Sequence, residues 1–184
     1  STRKNKEEEF YENEKQYTEN QILILYVLKE LEIPIPGIQL TDVMLEPRLM
    51  NYFAMQSALC DLIDAGMVKS EKDTDGIPLY SCTLKGLEVL NFLLSMIPQA
   101  ILDTYKLYLR KEKDNIRKSA EINANYFIAS DGHIYCRCFI REGNTYITDV
   151  RIPAADKNEA VAICENWKKN TSSVYIKIIK AMLP

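Results

Sequence analysis

Few side chains in this sequence are arranged for reaction chemistry. The single histidine, His133, stands beside Gly132 in an Asp131-Gly132-His133 stretch with turn composition. No nucleophile–base–orienter pattern surrounds it, so a hydrolase reading has nothing to stand on. The six glycines are scattered, and no glycine-rich phosphate loop is formed. Five cysteines, Cys60, Cys82, Cys136, Cys138 and Cys164, are odd in number and lack a C-x-x-C spacing. Neither a disulfide framework nor a zinc site is expected from them. Cys136 and Cys138 would share one face of a strand as buried thiols, and free thiols suit a reducing, cytoplasmic setting. The sequence thus points to no catalytic residue, no metal and no cofactor.

What remains is the chemistry of recognition. Arg48, Lys69 and Lys72 supply cations of the kind that hold phosphates. Asn51, Gln56 and Ser57 fall at the start of one helix, where side chains reach base edges or phosphates in helix-turn-helix proteins. Each has a plainer role beside that one. Asn51 also suits a helix cap, Gln56 suits the flank of a core, and the two lysines suit ordinary solvation of a hairpin. Charge opposes the nucleic-acid reading. The net charge is −3, but residues 18–97 carry 11 acidic against 5 basic residues, a local −6. Residues 98–121 and 122–184 each stand at +2. Phosphate neutralisation supplies most non-specific affinity, and Asp61 and Asp64 on the outer side of the third helix subtract from it. A protein-interaction module without DNA binding is therefore the alternative. The cations Arg110, Lys111, Lys113, Arg117 and Lys118 decide between the two by where they lie relative to the third helix.

These residues need elements to position them. Residues 1–17, with the run Lys6-Glu7-Glu8-Glu9, read as a charged tail or weak helix. Thr18 with Gln21 has the form of a capping box opening a helix whose Ile24, Val27, Leu28 and Leu31 mark a buried face. Pro34, Pro36 and Gly37 break it. A second helix over 38–45 stops at Pro47. A third runs from the cap Asn51 to Gly66, with Tyr52, Met55, Leu59, Leu62 and Ile63 on its inner side and Phe53, Ala54, Ser57, Asp61 and Asp64 outside. Strands over 67–71 and 77–82 flank an Asp73-Thr74-Asp75-Gly76 turn. Thr83 caps a fourth helix through Leu84, Leu87, Leu90, Leu94 and Ile97; it is apolar nearly all round after Val89, which predicts burial on several sides.

From 98 to about 119 the spacing predicts an amphipathic helix with Leu102, Tyr105, Leu109 and Ile116 as a stripe. That stripe either zips against a second copy or lies on its own domain. Three strands follow: 122–129, the alternation Ile134-Cys136-Cys138-Ile140, and Tyr146-Thr148-Val150-Ile152. Asp131-Gly132-His133 and Glu142-Gly143-Asn144 are the turns between them. Asp156 caps a helix through Trp167, and 172–183 reads as a last helix. Ala160, Ile163, Cys164 and Trp167 fall at i, i+3, i+4 and i+7, which makes Trp167 a core anchor. The apolar run 22–28 is far too short to cross a bilayer.

The expected class is α+β. An N-terminal winged helix-turn-helix over 18–97 is followed by a linker or dimerisation helix over 98–121 and a three-stranded antiparallel sheet with two helices over 122–184. The sequence also resembles a bacterial family, domain-of-unknown-function family 4364. The likeness rests on Ile33-Pro34-Ile35-Pro36, on Asn51-Tyr52-Phe53 with Gln56 behind it, on Thr83-Leu84-Lys85-Gly86, and on Ile163-Cys164-Glu165-Asn166-Trp167. It covers roughly 20–183. The resemblance implies the same two-part fold and a regulator's role inferred from that fold, with no activity attached. The expected partners are duplex DNA, a second copy of the chain through the Leu102/Tyr105/Leu109/Ile116 stripe, or another protein, and no membrane.

Overall fold

The computed structural model describes residues 2–73, 76–143 and 145–184, with side chains from Tyr11 onward. Thr74, Asp75 and Asn144 of the expected turns and the side chains of the 6–9 charge run lie outside the described residues. The described chain is mixed α+β, with six helices and two three-stranded antiparallel sheets. It divides into two units, Ser1–Arg117 and Lys118–Pro184.

In the first unit, helix α1 runs unbroken over Thr2–Leu31. The expected start at Thr18 is not there. Its hydroxyl donates back to the Glu14 carbonyl at 3.1 Å, a bond made inside a helix and not at its cap. The residues before it are mainly Lys, Glu and Gln, good helix formers that carry no apolar stripe to announce themselves. Further on, all of 22–28 is buried, not one face of it. A helix apolar all round is a helix surrounded, and α1 is the centre of this unit.

Strand β1 (Ile35–Pro36) was expected only as a turn. It pairs with β3, Ile35 opposite Tyr80 and Pro36 opposite Leu79. Two residues including a proline make no readable strand pattern, and the edge position tolerates the missing N–H. Helix α2 (Gly37–Leu45) buries Leu40, Val43 and Met44. Helix α3 (Tyr52–Asp64) starts at Asn51, whose side chain accepts from the Ala54 N–H at 2.9 Å, and it buries Met55, Ala58, Leu59 and Leu62. Tyr52, placed inside by the helical wheel, is exposed, and Ala58 takes its share of the core. Strands β2 (Val68–Lys72) and β3 (Pro78–Cys82) form the hairpin, giving the sheet order β1-β3-β2.

Thr83 caps helix α4 (Leu84–Leu93), accepting from the Gly86 N–H at 3.1 Å. Gly86 itself explains the Thr-x-x-Gly pattern: a Cβ there would meet the Met67 carbonyl oxygen at 2.2 Å. The helix packs backbone against backbone, and only glycine allows it. A 3₁₀ turn over Leu94–Met96 follows. The expected burial of α4 on several sides is wrong. Leu84 is 81% and Phe92 83% exposed, and Met96 is also exposed.

Helix α5 (Gln99–Glu121) carries the stripe expected as a dimer seam. Leu102, Tyr105, Leu109 and Ile116 are all buried within the chain. The Tyr105 hydroxyl donates to the Met44 carbonyl at 2.8 Å, and the Gln39 amide donates to the Ile116 carbonyl at 3.1 Å. The stripe lies on its own domain, and α2 is among its partners.

The second unit is a meander of β4 (Ile122–Ile128), β5 (Ile134–Glu142) and β6 (Thr145–Ala154), with a register shift between Ile140 and Arg141. Asp156 caps α6 (Lys157–Met182), its side chain accepting from the Glu159 N–H at 2.9 Å. The two expected helices are one, bent at the non-helical Asn170. Ala124, Cys136, Cys138, Ala160, Cys164 and Trp167 form the core, and the Trp167 indole N–H donates to the Phe139 carbonyl at 3.3 Å. On the opposite sheet face Arg137 makes two hydrogen bonds to Asp149, at 2.9 and 2.7 Å, and stacks on Phe139 and Tyr146.

Candidate nucleic-acid interface

The residues singled out for recognition separate into three places in the first unit. The first is the start of α3. Arg48 and Asn51 line a cleft of 370 Å³ together with Asn13, Gln16, Tyr17 and Asn20 of α1. Arg48 is exposed and has φ +58, in the left-handed region that side-chain-bearing residues seldom adopt. Asn51 does cap the helix. Its backbone carbonyl accepts from the Met55 N–H at 3.0 Å, and its side chain takes that of Ala54. Helix geometry leaves the Tyr52 and Phe53 N–H groups without intrahelical partners.

The second place is the outer side of α3. Gln56 is half-buried and turned toward α2, donating to the Thr41 hydroxyl at 3.2 Å, so it flanks the core. Ser57 is exposed but engaged: the Tyr17 hydroxyl lies 3.3 Å from its Oγ and donates to Asp61. Asp61 raises the Tyr17 phenol above its ordinary value through that bond. Tyr17 of α1 thus lies against one side of α3, and of the two readings of 1–17, tail or weak helix, it is the helix that is found. Asp61 and Asp64 are exposed, as expected, and so is Phe53, at 82%.

The third place is the hairpin. Lys69 and Lys72 are exposed on β2, and Lys69 pairs with Glu71. Asp73 is buried and shapes the turn, its side chain accepting from the Ile77 N–H at 2.9 Å. The cations of α5 lie elsewhere. Lys113 and Arg117 approach Glu32 at 3.4 and 3.6 Å, just past the end of α1. Tyr17 is fifteen residues back along that helix, roughly 20 Å away at its rise per residue.

The sequence reading missed Asn13, Gln16, Tyr17 and Asn20. Their signal was present: they fall at i, i+3, i+4 and i+7, a polar stripe of helical period. Asn13, Gln16 and Tyr17 fall in the stretch read as a charged tail, and Asn20 falls just past it in the first expected helix, so the stripe crosses that boundary. Among the described residues no group of three or more His, Cys, Asp or Glu side chains could hold a metal ion, all five cysteines are free, and no helix is long and apolar enough to cross a membrane.

These features define a mixed α+β protein whose two antiparallel sheets belong to two separate units, with a polar cleft at the start of α3. The family model described as Domain of unknown function (DUF4364) matches residues 20–182, nearly the whole chain, and the chain belongs to that family. No curated protein is detectably similar in sequence.

Proposed function

We propose that the chain is a winged helix-turn-helix DNA-binding protein with a role in transcriptional regulation, working in the cytoplasm and carrying out no catalytic reaction. The observation that carries this reading is the element order α1-β1-α2-α3-β2-β3 with the sheet order β1-β3-β2. It leaves the start of α3 and an exposed hairpin free to meet a duplex. In this reading Arg48, Lys69 and Lys72 contact phosphates and α3 enters the major groove. Ser57 reads a base edge once Tyr17 releases it. Five free thiols support the cytoplasmic placement. Paired half-sites call for a homodimer, and with the α5 stripe buried the seam passes to the exposed Leu84 and Phe92 of α4.

The test is duplex binding by fluorescence anisotropy across a salt series. Changing Lys69 and Lys72 together to Ala should weaken binding to all sequences equally and lower the salt slope by about 1–2. Changing Asp61 and Asp64 to Asn should strengthen it. No binding at low salt, even for the Asp-to-Asn variant, ends the DNA reading. The second reading, a protein-interaction module, is favoured by two observations. The α5 cations Lys113 and Arg117 lie by Glu32, away from the outer side of α3. Phe53 stands exposed at the start of α3 with its ring edge-on to Tyr52 at 5.7 Å, an aromatic anchor of the type that protein interfaces bury.

A further inference from the structure

The cleft between α1 and the start of α3 has a lining of unusual consistency. Asn13, Gln16, Tyr17 and Asn20 face it from α1, and Arg48 and Asn51 face it from the other side. None of its lining residues is a carboxylate, and Arg48 is the one charged group among them. Asn20, Arg48 and Asn51 belong to the segment 18–97, which carries 11 acidic residues. Arg48 gives the lining its one formal charge, and the Asp61 carboxylate that meets the lining residue Tyr17 is engaged by its hydroxyl.

Two further features point to a ligand. Asn20 is only 6% exposed, and its carboxamide has no hydrogen-bond partner among the described residues. A buried amide left unpaired loses its hydration without compensation, and folded chains keep such groups rarely. Asparagine is also a poor residue for a helix interior, so nothing local recommends it at this position. The second feature is the amino end of α3, a 13-residue helix. Asn51 and Ala54 of that end line the cleft, and the helix dipole puts partial positive charge there. Arg48 adds a full charge from a left-handed backbone position that glycine would occupy without strain. A volume of 370 Å³ lies within the ~300–1,000 Å³ typical of small-molecule sites.

We propose that this cleft binds a small organic oxyanion, a phosphate monoester or a carboxylate. Its charged end is held by Arg48 beside the amino end of α3, and its polar body is hydrogen-bonded by the carboxamides of Asn20, Gln16 and Asn13. The site goes beyond the DNA reading and does not depend on it. The two meet at Arg48, because a duplex phosphate is the other source of an oxyanion there.

The experiment follows the Asn20 side-chain NH₂ resonance by ¹H–¹⁵N NMR at constant ionic strength, with thermal melting alongside. The probes are glycerol 3-phosphate, glycerate and a generic duplex. A saturable shift with either small anion, together with a raised Tm, is the expected result, and the stronger of the two identifies the oxyanion. Arg48→Gly should weaken that binding about tenfold or more while melting no lower than wild type, because glycine suits φ +58. Asn20→Leu should remain folded and also lose binding, read from the Tm shift. The proposal is overturned if both small anions give only a linear drift, if Arg48→Gly binds as well as wild type, or if the duplex alone moves the Asn20 resonance. Loss of duplex binding with anion binding intact removes the DNA reading and leaves this one standing.

Discussion

Helices α4 and α5 reverse what their compositions suggest. Helix α4 is the more apolar, yet Leu84 and Phe92 project into solvent. Helix α5 is mostly polar, yet its Leu102, Tyr105, Leu109 and Ile116 are buried. The difference teaches that an apolar residue count does not measure burial. A helix is buried over the width that its neighbours cover. Helix α4 has α1 and its own cap to lie on, and that covers Gly86 and Leu90 while leaving the far side bare. The narrow α5 stripe is covered completely, and a polar tether at Tyr105 fixes it to α2.

The largest effect expected from this contrast is at Leu109. Changing it to Glu places a charge in the core beneath α5, and the fold should lose about 4 kcal/mol or more. Denaturant unfolding measures this; a variant with wild-type midpoint would return the stripe to the surface. Trp167→Ala sets the scale for an anchor in the other unit and should cost about 3–5 kcal/mol. An unchanged Tm would remove Trp167 from the core.

A smaller effect belongs to the ion pair on the face of the second sheet opposite the Cys136/Cys138 core, where Arg137 is buried. The Arg137 guanidinium holds the Asp149 carboxyl below the usual carboxylate range. A lowered carboxylate stabilises the fold above that range, and the contribution is lost as pH falls through the lowered value. Asp149→Asn should therefore cost about 2 kcal/mol near neutral pH and progressively less in acid. Equal losses at neutral and strongly acidic pH would contradict the pairing. The smallest stability effect is at Phe92. Phe92→Asp should change stability by less than about 0.5 kcal/mol. Light scattering should nonetheless show the proposed dimer becoming a monomer. A dimer mass that survives the change moves the seam off α4.

Features with purely local causes could be read in the sequence. Asn51, Thr83 and Asp156 cap the helices expected of them, because a cap needs only its own next turn. The alternation through Ile134, Cys136, Cys138 and Ile140 placed those thiols and Ala160, Cys164 and Trp167 on one core. What escaped depended on partners distant in sequence. The first half of α1 has no apolar period, and the contact of Tyr17 with Ser57 and Asp61 of α3 joins residues forty and more apart. Strand β1 exists because β3 is there to receive it. Of the candidate site, the chemistry of Arg48 and Asn51 was legible, whereas the four α1 residues that complete their cleft were not.

The contact at Gly86 has a mechanical consequence. The Met67 carbonyl receives the Thr83 backbone N–H at 3.0 Å, the Thr83 hydroxyl is shared between the Gly66 and Met67 carbonyls at 2.8 and 3.0 Å, and the α4 backbone presses against Met67. Strand β2 begins one residue after that carbonyl, and β3 ends one residue before Thr83. The base of the hairpin is therefore welded to α4 without a soft joint. A displacement of the hairpin base is felt directly at the first turn of α4.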